Sequence, residues 1–322
     1  MHKKRLLLLL GFALVLLLVP CVVLGPYYFR VQHFKADPAQ GYYADFYLYV
    51  SPGAKRTAQT GAVATLLVQP NNSGINADDP AVHRRDAWWM GFGRHGLADD
   101  LGVVLLIPAF LRPAEDWQIY THALDRDVLT TERTDLARLD LQLLAMVDHA
   151  RAVLETEGLP TDAAFLLQGY SASGMFANRF TALHPRRVKA VAAGSPGGWP
   201  IAPVTHYQGE ALPYPAGIAD LEALTGHPFD STAYRAVPQL IVMGALDDND
   251  ALDFTDGWGP EAAAQVDRLF GPDPLSRWDG AQALYHAAGA TARFLLVNDV
   301  GHDRKALQHY STAFLMAVLA NP

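Results

Sequence analysis

The stretch Ala164-Phe165-Leu166-Leu167-Gln168-Gly169-Tyr170-Ser171-Ala172-Ser173-Gly174 decides the fold. Residues 164–168 have the composition of a buried strand, and residues 175–183 that of a helix. A tight turn between a strand and a helix exposes the Oγ atom of a serine, provided that the residues two before and two after it are small. Gly169 and Ser173 meet this condition, so Ser171 is a candidate nucleophile.

Two other interpretations of this turn remain open. Ser173 could be the nucleophile, although the residue two after it, Met175, is bulky for such a turn. Ser171 could also serve as the N-cap of the following helix, because serine is common at that position.

Short β-rich runs alternate with helical patterns along the chain. The sequence predicts strands at 46–50, 62–69, 103–107, 164–168, 188–193, 239–243 and 293–297. It predicts helices at about 80–98, 136–154, 173–183, 260–270, 281–288 and 303–319. This alternation indicates one α/β domain with a mostly parallel central sheet flanked by helices.

An irregular insertion at about 195–238 interrupts the alternation. It holds seven of the 21 prolines and several aromatic residues. A long irregular segment in a compact domain is often a lid or a binding loop. We expect a lid-like insertion, with a well-packed surface excursion as the alternative.

Two further residues at strand ends complete a possible catalytic set. Asp247 follows the run 239–243, and His302 follows the run 293–297. A serine hydroxyl needs a general base, and the base needs an acid that orients it. Asp248, Asp250 and Asp253 compete with Asp247 for this role. A calcium loop here is disfavoured because the ligand and glycine spacing is missing.

The order Ser171, Asp247, His302, each after a successive strand, resembles the α/β-hydrolase superfamily over residues 42–322. Within it, the run from Gly169 to Phe180 is similar to exported serine esterases of the feruloyl-esterase and polyhydroxyalkanoate-depolymerase type. The resemblance implies a Ser171–His302–Asp247 triad that cleaves a carboxylic ester without a metal or organic cofactor.

The resemblance also implies an oxyanion hole and a substrate pocket. The backbone N–H of Ala172 and one in the loop after the third strand, here Phe110, would face the developing oxyanion. We expect Tyr170, Trp199 and Tyr214 to contact the substrate, a small-molecule or polymeric ester. A peptidase, an acyltransferase and a non-catalytic binding module on the same scaffold are the alternatives.

The N-terminus predicts export. Lys3, Lys4 and Arg5 precede an uncharged run from Leu6 to Leu24, a pattern typical of a signal anchor whose positive end stays in the cytoplasm. We expect a transmembrane segment at 1–25, a linker at 26–41 and an extracytoplasmic catalytic domain at 42–322. Cleavage of the segment, or lipidation at Cys21, would be the alternatives.

Charge and cysteine content exclude other classes. The chain has 25 basic and 33 acidic residues, and three of the basic ones belong to the N-terminal segment. The remaining acidic body would repel nucleic acid, which requires clustered basic side chains. The single cysteine, Cys21, leaves the domain without a disulfide, a thiolate nucleophile or a cysteine metal site.

Overall fold

A twisted sheet forms the centre of the molecule. The computed structural model describes residues 25 and 27–321. Within them the strands are β1 (Val31–Phe34), β2 (Phe46–Val50), β3 (Leu66–Val68), β4 (Val104–Pro108), β5 (Phe165–Tyr170), β6 (Val188–Gly194), β7 (His206–Tyr207), β8 (Glu210–Ala211), β9 (Gln239–Gly244) and β10 (Ala292–Val297). Eight of these form one sheet in the order β1-β2-β4-β3-β5-β6-β9-β10, and β7 and β8 form a separate hairpin.

The sheet is parallel from β4 to β10, whereas β1 and β2 pair antiparallel to their neighbours. Parallel strands require crossover connections, and helices supply most of them. The helices are α1 (Pro52–Gln59), α2 (Pro80–Leu101), α3 (Arg126–Thr130), α4 (Leu139–Thr156), α5 (Ala172–Leu183), α6 (Leu221–Thr225), α7 (Ser231–Ala236), α8 (Pro260–Phe270), α9 (Pro274–Ala287) and α10 (Arg304–Ala320). The predicted mostly parallel α/β architecture is confirmed.

Apolar side chains cover both faces of the sheet. Residues such as Leu143 and Val147 of α4 and Phe176 of α5 pack on one face. Ala87 of α2 and Leu307 of α10 pack on the other. A sheet buried on both faces explains why its strands read as continuous apolar runs.

Residues 27–41, which the sequence assigns to a linker, include a strand of the sheet and a buried aromatic side chain. Strand β1 pairs with β2, and Tyr27 is only 1% exposed. The Tyr27 ring packs against Trp88 of α2 at a centroid distance of 5.4 Å. Gly91 makes room for it, because a Cβ there would lie 2.0 Å from the Tyr27 hydroxyl oxygen.

The predicted transmembrane segment at 1–25 lies almost entirely outside the described residues. Among the helices of residues 27–321, none combines the length and the apolar character needed to cross a bilayer.

Candidate active site

The turn after β5 holds Ser171 in a strained backbone conformation, with φ 58° and ψ −127°. L-residues rarely adopt such angles, and they persist where the surrounding structure enforces them. Gly169 permits the turn, because a Cβ there would lie 1.8 Å from the carbonyl oxygen of Ser173. The predicted requirement for a small residue two before Ser171 therefore has a direct steric cause.

Ser173 has a structural role in the same turn. Its buried hydroxyl donates to the Tyr170 carbonyl at 2.9 Å and accepts from the Tyr170 N–H at 3.0 Å. The Ser171 side chain makes no capping hydrogen bond to α5. Both alternative interpretations of the turn are therefore disfavoured, and Ser171 is the more exposed of the two residues.

Asp247 and His302 form a pair at the same edge of the sheet. His302 Nδ1 lies 3.0 Å from each carboxylate oxygen of Asp247. The two loops are joined by a hydrogen bond of 2.8 Å from the Leu246 N–H to the Val300 carbonyl. Gly244 allows this approach, because a Cβ there would lie 2.2 Å from the Val300 oxygen.

The environment of Asp247 keeps this carboxylate ionised. Burial alone would raise the pKa of Asp247, but its contacts with His302 and the Ser195 hydroxyl bring the pKa below its ordinary value. The Ser195 Oγ lies beside the carboxylate without a hydrogen bond of regular geometry to any described residue. We therefore attribute the lower pKa mainly to His302.

The competing carboxylate Asp250 is engaged elsewhere. Its Oδ2 lies 2.7 Å from Nη1 of Arg277, and both side chains are buried. No group of three or more His, Cys, Asp or Glu side chains within residues 27–321 is arranged to hold a metal ion.

Tyr170 links the serine turn to the histidine. Its ring and that of His302 lie 4.9 Å apart between centroids, so the imidazole is held beside the residue that precedes Ser171. Within the described chain, the Ser171 hydroxyl is not hydrogen-bonded to His302. Because Nδ1 faces Asp247, Nε2 is the imidazole nitrogen that remains for the serine.

Phe110 does not fit its expected role as an oxyanion donor. Its backbone N–H donates to Asn71 Oδ1 at 3.0 Å, and its carbonyl accepts from Asn71 Nδ2 at 2.9 Å. Both residues are fully buried. The N–H is therefore already used to hold the loop after β4 against the loop after β3.

The loop after β3 approaches the serine turn instead. Asn72 Nδ2 donates to the Tyr170 carbonyl at 3.1 Å, directly before Ser171. The backbone N–H of Asn72 donates to no other described residue. Sequence reasoning missed this loop because it took Val103–Ile107 for the third strand. With β1 included, Leu66–Val68 is the third.

Trp199 and Tyr214 are core residues and do not line an open pocket. Each is 1% exposed. Trp199 Nε1 donates to the Ala216 carbonyl at 2.9 Å, and its ring stacks on Phe270 at 4.3 Å. The Tyr214 hydroxyl donates to the Leu124 carbonyl. The insertion is thus a packed excursion around these aromatic rings, and as placed here neither ring offers surface to a substrate.

The architecture defines the chain as an α/β-hydrolase fold. Among solved structures, it is similar to poly(aspartic acid) hydrolase-1 from Sphingomonas sp. KT-1, with 18% identity, 89% of this chain and 98% of that chain covered, and a TM-score of 0.56. It is also similar to LpqC, a poly(3-hydroxybutyrate) depolymerase from Bordetella parapertussis, with 20% identity, 88% of each chain covered and a TM-score of 0.55. A scan of protein families and a search of curated proteins give no match.

Proposed function

We propose that the protein is a serine hydrolase that cleaves a carboxylic ester, with Ser171, His302 and Asp247 as its catalytic residues. The observation that carries this proposal is the Asp247–His302 pair at the sheet edge where Ser171 occupies a strained turn. Two hydrolases with similar folds support the reaction class. A binding module would have no need for an oriented imidazole beside such a serine.

The mechanism proceeds in two stages. Rotation of the Ser171 side chain brings Oγ to His302 Nε2, which takes the hydroxyl proton as Oγ attacks the acyl carbon. Asp247 holds the imidazole through Nδ1 and stabilises its positive charge. The proton then passes to the leaving alkoxide, and an acyl-enzyme remains. His302 activates water for the second attack, which releases the acid and restores the serine.

Two backbone N–H groups would stabilise the oxyanion. Ala172 is the first residue of α5, so its N–H has no partner within the helix. We assign the second donor to Asn72 in place of Phe110, because its loop is the one bound to the Tyr170 carbonyl. An α/β-hydrolase oxyanion hole combines these two positions of the fold.

Labelling with a fluorophosphonate probe, followed by mass mapping of the modified residue, tests the proposal. We expect the wild-type protein to be modified at Ser171 and Ser171→Ala to remain unlabelled. Ser195→Ala is the matched control, because it removes a nearby hydroxyl that is not the nucleophile of the proposed mechanism. Failure of the folded wild-type protein to react, or modification at a different serine, would contradict the proposal.

The substrate class requires a separate panel. The two similar structures are named for an ester polymer and for poly(aspartic acid). The panel should therefore compare p-nitrophenyl esters of increasing chain length with peptide substrates and with lipid acceptors for acyl transfer. Turnover of esters alone supports the proposal, whereas faster peptide cleavage or acyl transfer would replace it with one of the alternatives.

We also propose that residues 6–24 hold the domain at the extracytoplasmic surface of a membrane. Tyr28 and Phe29, which follow this apolar run, are 63% and 83% exposed, and Trp89 of α2 is 52% exposed. Aromatic side chains favour the boundary between lipid and water. Retention in the membrane after alkaline washing, with the domain open to added protease from the outer side, is the expected result.

A further inference from the structure

A small cavity lies behind the serine turn, between α2 and α10. Its volume is about 30 Å³, which is space for a small ion or for one or two water molecules. The groups that matter for its chemistry are Arg94 of α2, Arg304, Gln308 and Ser311 of α10, and Gln168 and Tyr170 of β5. An ester substrate is too large for this cavity.

Two guanidinium groups, that of the partly buried Arg94 and that of the exposed Arg304, meet at the cavity without a carboxylate partner. Arg94 Nη1 donates to Gln308 Oε1 at 2.7 Å, and Arg304 Nη1 donates to the same oxygen at 2.9 Å. No acidic side chain belongs to its lining. Within residues 27–321, Gln308 is the side-chain partner of both arginines, and neither forms an ion pair. One neutral amide oxygen therefore accepts hydrogen bonds from two guanidinium groups.

Water can solvate the exposed Arg304, whereas the partly buried Arg94 has only the Gln308 amide oxygen as a side-chain acceptor. Burial, and then the charge of Arg304, lowers the pKa of Arg94 to about 10, the direction expected for a charged group without a carboxylate beside it. A fully buried arginine of the same chain has carboxylate partners. Arg277 contacts the carboxylates of Asp250 and Asp267. Arg277 thus has two carboxylate partners, whereas no carboxylate lines the cavity between α2 and α10.

A further polar group, the Tyr170 hydroxyl, belongs to a residue that lines the cavity, and the Ser195 hydroxyl lies beside it. The hydroxyl oxygen of Tyr170 is buried and has no hydrogen-bond partner among the described residues. Buried hydroxyl groups rarely stay without a partner. An acceptor in the cavity would satisfy this O–H together with the guanidinium N–H groups.

We propose that this cavity binds a small inorganic anion, with chloride as the ion of fitting size and charge. The bound ion would neutralise Arg94 and Arg304 and accept the Tyr170 hydroxyl. Tyr170 directly precedes Ser171, and its ring packs on His302. The ion would therefore also stabilise the segment that carries Ser171. The proposal does not depend on the reaction that Ser171 performs.

Thermal unfolding of the full-length protein at constant ionic strength tests the proposal, with gluconate replaced stepwise by chloride or bromide. We expect a saturable rise in Tm of about 2 °C or more, because a ligand of the folded state shifts the unfolding equilibrium. Arg94→Met should abolish this rise. The matched control Arg268→Met alters an exposed arginine that pairs with Glu210 and should retain it.

A direct measurement covers the case in which Arg94→Met does not fold. Bromide-soaked crystals of the wild-type protein should show an anomalous peak between Arg94 and Tyr170, and Tyr170→Phe should weaken the chloride effect on Tm. A wild-type Tm that is the same in gluconate and chloride, or a bromide-soaked crystal without that peak, would overturn the proposal. An equal chloride effect in Arg94→Met would do the same.

Discussion

His302 Nδ1 is equidistant from the two carboxylate oxygens of Asp247, at 3.0 Å from each, across 55 residues of chain. A shared contact of this kind fixes both the position of the imidazole and the nitrogen that it presents to Ser171. The orientation of the imidazole is therefore built into the folded protein.

Asp247→Asn tests this orientation. The amide would keep the shape of the side chain but would favour the wrong imidazole tautomer and remove the negative charge. We expect kcat for an ester substrate to fall by about 10⁴-fold with KM little changed. Asp248→Asn, one residue along the chain, is the control. Equal activity of Asp247→Asn and the wild-type protein would exclude Asp247 from the mechanism.

Gly244→Ala probes the contact between the Asp247 and His302 loops. The new methyl group would meet the backbone oxygens of Val300 and Gly301, at 2.2 and 2.5 Å in the present structure. We expect the loops to separate, with a loss of at least about tenfold in kcat from the displaced imidazole. Gly259→Ala, where the added Cβ meets no atom within 4 Å, should keep full activity. An unchanged kcat in Gly244→Ala would argue against tight coupling of the loops.

Asn72 allows the second oxyanion donor to be tested by comparing two variants. Asn72→Ala removes the side-chain contact with the Tyr170 carbonyl, whereas Asn72→Pro also removes the backbone N–H. We expect kcat of the proline variant to lie about 100-fold or more below that of the alanine variant, as for other lost oxyanion donors. Tm values of both variants monitor folding. Equal kcat values in two folded variants would assign the donor elsewhere.

His122 should make stability depend on pH. It is fully buried, its Nε2 lies 2.9 Å from the Phe110 carbonyl, and burial lowers its pKa from 6.5 to about 3. Between these values the unfolded chain binds a proton that the folded chain does not, so the free energy of unfolding falls as pH drops from about 6.5 to 3.

Urea unfolding of the wild-type protein and of His122→Gln across this pH range measures the effect. The stability advantage of the wild-type protein should shrink by up to about 1.4 kcal/mol per pH unit as the pH falls. His286→Gln, at an exposed helix position, is the control. A difference between wild type and His122→Gln that stays constant with pH would contradict the expectation.

The sequence predicts the strands of the sheet interior well, because burial on both faces requires continuous apolar runs. It misses β1, whose residues Val31-Gln32-His33-Phe34 include two polar side chains at the sheet edge. That omission shifts the count of strands, and it is the reason why the sequence points to the loop containing Phe110, and not to the loop containing Asn72, for the second oxyanion donor. The steric rule that selects Ser171, in contrast, depends on local contacts and is readable from neighbouring residues.

Aromatic residues in the insertion show a different limit. Composition reveals that Trp199 and Tyr214 belong to a segment without regular periodicity, but an aromatic ring can face either a pocket or the core. Here each polar atom finds a backbone carbonyl inside the protein. Such partners come from residues distant in the chain or from irregular loops, so the periodicity of the sequence does not predict these hydrogen bonds.

The anchoring of Tyr27 on α2 and the pairing of β1 with β2 determine where the chain can be shortened. A protein that starts at residue 42 would expose the backbone N–H and C=O groups along one side of β2, and it would leave the space above Gly91 empty. Bare strand edges invite aggregation. Shortened versions for crystallisation should therefore retain Tyr27 and every residue after it.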